Sequence, residues 1–276
     1  MTSTTIGKAE IDRLARLFTT ALFDLHEEET APTTQARLAS LILEETSSRA
    51  LPLALAKASL GFSIFDDLLQ LLIQTLKSTL ENERIKHLQV VCGEQGPQSF
   101  TAQVQGAFEE ELKDQFRSGS TTFPLRDGDG SLNTFNPCLN AAFFSAVALK
   151  LGLTSIGKYH VTVALEALGL TENKAAEDRG GQRAEAYAIA TLIMFSVGGV
   201  EKYARILAEA GVEYEEVPKR LRGLKNRGVL TRDKELALLE TVAEDFDRNA
   251  SSARSDAQYL SSEVFVPRTT QKLTAV

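Results

Sequence analysis

A chain of 276 residues that is 43% hydrophobic has the material for one large domain or two lobes with a sizeable core. Its formal net charge of −7 argues against a polyanion partner wherever that charge is evenly spread. The longest low-polarity run, 186–200, is too short and too closely flanked by charge to span a membrane, so no membrane partner is expected.

Two cysteines, Cys92 and Cys138, are too few for a disulfide framework and favour a reducing compartment. The Thr/Ser-rich start, 1–7, lacks the basic-then-apolar order of a secretory signal, so a cytoplasmic location is expected. Trp is absent, Pro is scarce, and Ala, Leu, Glu and Lys are plentiful, a composition that favours helix. The expected fold class is all-α.

Taken in order, residues 1–7 read as an N-terminal arm. Over 8–28, Ile11, Leu14, Ala15, Leu17, Phe18, Ala21, Leu22 and Leu25 repeat at i, i+3, i+4 and i+7, which predicts an amphipathic helix that needs a partner surface. Beyond a linker at 31–34, a second helix is predicted over 35–49, burying Leu38, Leu41 and Ile42. Pro52 suits the first turn of a short third helix, which Gly61 ends. Ser63-Ile64-Phe65-Asp66 has the form of a capping box and predicts a helix from 64 to about 80. Residues 85–91 fit either a short helix or a strand. After a turn cluster at 93–97, Phe100, Val104, Ala107, Phe108, Leu112 and Phe116 mark another helix.

The longest stretch of turn chemistry, 117–137, contains Ser-Gly-Ser-Thr-Thr, Pro124, Asp127-Gly-Asp-Gly130 and Asn136-Pro137. It predicts a boundary between an N-terminal helical lobe, 8–117, and a C-terminal one, 137–261, joined by a loop at 118–136; loops of this length are often functional. Within the second lobe Phe143, Phe144, Val147 and Leu151, then Val161, Leu165 and Leu168, then Ile189, Leu192, Ile193, Phe195 and Val197 fall mostly at helical spacing with few polar breaks. Buried helices are predicted there, interrupted near Gly152, Gly169 and Gly180-Gly181. A helix follows over about 200–210 and another from 233 to about 248. Residues 262–276 read as an extended C-terminal arm with a few apolar anchors.

Catalytic chemistry finds little support. Gly152-Leu-Thr-Ser-Ile-Gly157-Lys158 begins like a phosphate-binding loop, yet Tyr159 stands where a Ser or Thr must hold Mg²⁺, and a helix-turn-helix connection is the better reading. Asp127, Asp129 and Ser131 alternate as in a calcium loop, but Leu132 replaces the required glycine and Cys138 the closing glutamate. His26, His87 and His160 stand alone, and neither cysteine has a metal ligand at short spacing. No enzyme, cofactor or metal is expected.

One feature departs from the acidic average. Residues 219–234 carry Lys219, Arg220, Arg222, Lys225, Arg227, Arg232 and Lys234 against the single acid Asp233, a local balance of +6 that leaves −13 for the remainder. Leu221, Leu224, Val229 and Leu230 interleave with these charges and anchor the segment to a core. Anchored cations of this kind hold phosphates and release counterions on binding. The competing reading is a solvated face paired with carboxylates such as Glu213, Glu215 and Glu216. Arg179 and Arg183, beside Gly180-Gly181 at a helix start, extend the same surface. Tyr187 and Tyr203 are candidates to stack on bases, although aromatics at helical spacing are more often core.

Helical lobes, an arm at each end, a basic strip on an acidic body and Gln182-Arg183-Ala184-Glu185-Ala186-Tyr187 followed by Asp245-Phe246-Asp247 resemble the nucleocapsid and coat proteins of helical RNA viruses. The families in question are the segmented negative-strand nucleoproteins and the coat proteins of flexuous filamentous plant viruses. In the latter, an arginine in a core helix and an aspartate after a phenylalanine form a shared RNA-side site, which the resemblance carries to Arg183 and Asp247. The tryptophan-containing core motifs of those coat proteins are absent here. The resemblance implies a non-enzymatic protein that coats single-stranded RNA, self-associates into a filament or ring through its arms, and resides in the virion or host cytoplasm. The expected phosphate contacts are Arg183, Lys219, Arg220, Arg222, Lys225, Arg227 and Arg232. Alternatives are a helical scaffold or adaptor without nucleic acid, and a small-molecule binder or enzyme using a pocket between lobes.

Overall fold

The computed structural model describes residues 7–25, 30–61, 68–91, 97–153, 159–170 and 181–262. Among them are twelve helices and one two-stranded sheet, and the fold is all-α. All but residues 7 and 262 of the expected arms, 1–7 and 262–276, lie outside the described residues, as do the capping box at 63–66, His26, Cys92 and Arg179.

Helix α1 (Lys8–Phe23) buries the stripe Leu14, Phe18, Ala21 and Leu22, as its periodicity predicts, and packs on α3 (Leu51–Leu60). Between them, α2 (Ala31–Glu44) starts earlier than its spacing suggests. Pro32 occupies the first turn, where a missing N–H costs no helical hydrogen bond, so the expected linker is helix. Pro52 plays the same part in α3, whose C-cap is Gly61. Helix α4 (Leu68–Leu80) buries Leu69, Leu72, Ile73 and Leu76. Residues 85–91 resolve into both alternatives. Helix α5 (Glu83–Lys86), capped by Asn82, gives way to β1 (Gln89–Val91), which pairs antiparallel with β2 (Pro97–Ser99), Gln89 opposite Ser99.

Helix α6 (Phe100–Thr121) runs through the Ser-Gly-Ser-Thr-Thr segment that turn chemistry had assigned to the connecting loop. The hydroxyls of Ser120 and Thr121 bond back to the Arg117 carbonyl, which absorbs their polarity into the last turn. Gly119 is there because of packing: a Cβ at this position would lie 2.1 Å from the Cys138 amide nitrogen and 2.7 Å from Asn136 Oδ1. The start of α7 (Pro137–Lys150) therefore rests directly on the α6 backbone. Buried Asn136 fastens this crossing, since its Oδ1 accepts from Cys138 and Leu139 N–H while its Nδ2 donates to the Gly119 and Pro124 carbonyls. The connecting loop is thus 122–136.

Past α7 come α8 (Tyr159–Leu168), α9 (Gln182–Gly198), α10 (Val200–Glu209), α11 (Glu216–Asn226) and α12 (Asp233–Ser262), with positive-φ glycines at 152, 169, 199, 211 and 228 closing successive elements. Helix α9 is the innermost. Every residue from Ala186 to Phe195 is buried, and α6, α7, α8, α10 and α12 all pack against it. Small residues make the closest pairing, α7 on α9, compatible with full burial: Ala141, Ala142, Ala146 and Ala148 from one helix, Ala186, Ala188 and Ala190 from the other. The polar exception, Thr191, bonds to the Tyr187 carbonyl.

The buried side chains from Leu14 to Phe246 form one continuous apolar cluster, because α6 packs against α3 as well as α7. The segments 8–117 and 137–261 expected as two lobes therefore share core across the loop between them. No single helix among the described residues is long and apolar enough to cross a membrane. The tight crossing generates a test. Gly119→Ala must push α7 off α6 or expel Asn136, and equilibrium urea unfolding is expected to show a loss of about 3 kcal/mol, at the upper end of overpacking costs. Gly106→Ala, where a Cβ meets nothing within 4 Å, is the control, expected to be neutral or slightly stabilising.

Candidate nucleic-acid interface

The basic segment folds as α11 and the turn after it. Val217, Pro218, Leu221 and Leu224 seat the helix on α12 and α8, as the interleaved apolar residues require. What the sequence does not reveal is the acidity of the surface beneath. Arg222 donates through Nε to Glu240 at 3.3 Å and through Nη2 to Asp247 at 2.9 Å, both on α12. The Asp247 hydrogen bond first, then Glu240, holds its guanidinium above the ordinary arginine range. Arg220 approaches Glu216 at 4.0 Å on its own helix. Arg183, near the start of α9, pairs with Glu166 of α8 at 3.0 Å and lies over the Tyr187 ring at 5.1 Å. Two of the seven predicted phosphate contacts, Arg183 and Arg222, are therefore already hydrogen-bonded to carboxylates, and a third, Arg220, has one at the limit of ion-pair distance. Arg183 and Asp247, the two positions singled out by the viral resemblance, have different partners and sit in different ion pairs.

Four of the predicted contacts retain their charge. Lys219 and Lys225 are exposed with no carboxylate at ion-pair distance among the described residues. They are six positions apart, about 120° around the helix, so they do not share a face. Arg227 donates to the Ala167 carbonyl at 3.2 Å, in the last turn of α8, and Arg232 to the Gly130 carbonyl at 2.6 Å. A carbonyl orients a guanidinium without cancelling its charge, and the one at a helix C-terminus complements the dipole.

Beside this turn opens a groove of about 520 Å³, lined by the loop residues Pro124, Leu125 and Arg126, the α9 start at Gln182 and Glu185, and the turn from Arg227 to Thr231. Lys225 closes α11 immediately before that turn, and Arg232 follows it. Gly181, at φ 112°, delivers the chain into α9 without a side-chain cap. Gln182 Nε2 instead donates to the Phe123 carbonyl, tying the connecting loop to the first turn of α9.

One wall is held by an ion network that nothing in the sequence announces. Arg126, on the loop, donates through Nη2 to Glu185 of α9 at 2.5 Å and to Glu235 of α12, and through Nη1 to the Gly130 carbonyl. Burial works against the Arg126 charge, and the bonds to Glu185 and Glu235 more than offset it, leaving its pKa above the ordinary value. The Asp127-Gly-Asp-Gly130 stretch is a tight turn within this loop: Asp127 N–H bonds to the Ser131 carbonyl, and Asp129 accepts from Ser131 N–H and Oγ. Both aspartates serve the turn, and no group of three or more metal-ligating side chains gathers among the described residues.

Comparison with protein-family models, with curated proteins and with solved structures found no match. The site is therefore read from its own geometry. Tyr187 and Tyr203 are 2% and 0% exposed, which removes both as surfaces for stacking bases. Cys138 is fully buried, and burial pushes its thiol well above the ordinary range, so it supplies no thiolate. Among the described residues, the exposed phenylalanine rings lie on the connecting loop, at Phe123 and Phe135, and at Phe23 on the end of α1.

Two measurements check this arrangement. Arg126→Met strands Glu235, whose side chain is 9% exposed, beside Glu185 without a counter-charge, and is expected to cost about 3 kcal/mol in urea unfolding, whereas Arg222→Gln, at the surface, costs under about 1 kcal/mol. Burial raises the phenol pKa of Tyr187 and Tyr203 and pushes that of Tyr214 up to about 12. A folded-state pKa above the unfolded value of about 10 contributes stability that is complete below pH ~10 and is lost as pH climbs through the folded value. Phenolate absorbance titration should accordingly show these three rings ionising together with alkaline unfolding, after the exposed fraction.

Proposed function

We propose that the protein binds single-stranded RNA through its phosphate backbone and associates with copies of itself along the strand. The observation that supports this reading is that Arg227, with no carboxylate partner among the described residues, lines an open groove at the N-terminal end of α9, with Lys225 two positions before it and Arg232 five after it in the chain. On this reading Arg183, Arg220 and Arg222 are structural, and Lys219 is peripheral. An acidic body with a local cationic edge binds weakly as a single copy. Adjacent copies on one strand reinforce each other through effective concentration, and the arms at 1–6 and 263–276 are the candidate links between them.

A second reading is favoured by one observation: Arg222 fastens α11 to α12 through Glu240 and Asp247, and Arg183 fastens α9 to α8 through Glu166, which is how a helical scaffold without nucleic acid would use its arginines. The two separate in solution. Anisotropy titration of labelled oligouridine against salt should give a log–log slope, and the triple change Lys225→Gln, Arg227→Gln, Arg232→Gln should make it shallower by about 2, at roughly 0.7 per single-strand phosphate contact. Glutamine removes the charge and is too short to keep the bonds to the Ala167 and Gly130 carbonyls, so unchanged circular dichroism and urea unfolding of the variant are the control for its fold. Arg222→Gln is expected to leave the slope unchanged. Absence of any salt-dependent binding supports the scaffold and overturns the proposal.

A further inference from the structure

Resting on the RNA reading above, we infer that Phe123, the residue before the groove-lining Pro124, is a base-stacking platform beside the groove, so that one nucleobase lies on its ring while the adjoining phosphates meet Arg227 and its neighbours. With Tyr187 and Tyr203 inside the core, a stacking surface has to come from an exposed ring. Phe123 is 43% exposed, and its geometry is that of a mounted side chain rather than a loose one. Its N–H bonds to the Ser118 carbonyl at 3.3 Å, and its carbonyl accepts from Gln182 Nε2 at 2.6 Å. Pro124, the next residue, restricts the backbone at 123 to the extended region and itself lines the groove. The Pro124 carbonyl is fixed in turn by Asn133 and Asn136.

A backbone with both polar groups bonded fixes the direction in which the Phe123 side chain leaves the chain, and a flat partner that covers the ring removes apolar area from water. A nucleobase is such a partner. Stacking is tolerant of base identity, which suits a groove in which Gln182 and Glu185 are already engaged by the loop. Phe135, more exposed still at 72%, and Phe23 at 76% are not joined to the groove by any hydrogen bond of their own to its lining residues. Phe23 instead adjoins Asp24, which is paired with Arg37, an unfavourable neighbour for a polyanion.

The chain contains no tryptophan, so Phe123→Trp in the full-length protein provides a single fluorescent reporter at the platform. Oligouridine should quench its emission by half or more at saturation, whereas inorganic polyphosphate of matched charge should bind without quenching. Phe123→Ala should weaken oligouridine binding by about tenfold, within the range for one lost base stack, and leave polyphosphate binding unchanged. Oligouridine that binds by anisotropy yet leaves the tryptophan emission unchanged overturns the platform while the phosphate reading survives. Quenching by both polyanions assigns the ring to a contact between copies and overturns it too. No binding of either polyanion overturns the RNA reading and the platform with it.

Discussion

A helix buried on every side has to be covered on every side, and α9 imposes that requirement on the rest of the fold. From Ala186 to Phe195 no residue reaches solvent, so α6, α7, α8, α10 and α12 are arranged as its walls. The requirement explains the alanines that let α7 approach, and the aromatic cluster of Phe195, Tyr203, Tyr214 and Phe246 that fills the far end at ring separations near 5 Å. It also explains why only the first turn of α9, at Gln182 to Glu185, meets a groove. That turn is where the loop 122–136 and the turn after α11 converge, and the Arg126 network binds loop, α9 and α12 together.

Much of the helical layout was legible in the pattern of the chain, and the reasons for the rest are physical. The stripe of α1, the proline at the start of α3 and the unbroken apolar character of α9 all act locally, through i to i+4 neighbours, and a sequence displays such relations directly. The α6 end differs from its local pattern because Ser118 to Thr121 have turn chemistry of their own, which a tertiary contact overrides: Gly119 is selected by the α7 backbone at Cys138, nineteen positions downstream and beyond the reach of a local pattern. The start of α2 was misplaced because Pro32 reads equally as a breaker or as a first-turn residue.

The site was less legible than the fold. The concentration of cations at 219–234 is visible in any count, but partner choice is not, because Glu240, Asp247 and Glu166 reach Arg222 and Arg183 only after α12 and α8 have docked. A helical wheel would have given one warning, since Lys219 and Lys225 differ by about 120° and cannot form one stripe. Arg126 escaped notice entirely, being a lone arginine in a loop. On this account the segment divides its labour: Arg222 holds the helix to α12, and Arg227, after its C-terminal end, lines the groove without a carboxylate partner among the described residues. Net charge then limits affinity and keeps single copies soluble, which is why binding is proposed to depend on several copies.

That division is tested most directly by lysine footprinting of the full-length protein with and without saturating oligouridine, read by mass spectrometry after acetylation. The account predicts that RNA slows acetylation of Lys225 severalfold while exposed Lys86 on α5 and Lys113 on α6 react at unchanged rates. Unchanged reactivity of Lys225 at saturation, or protection at Lys86 and Lys113 instead, would contradict it.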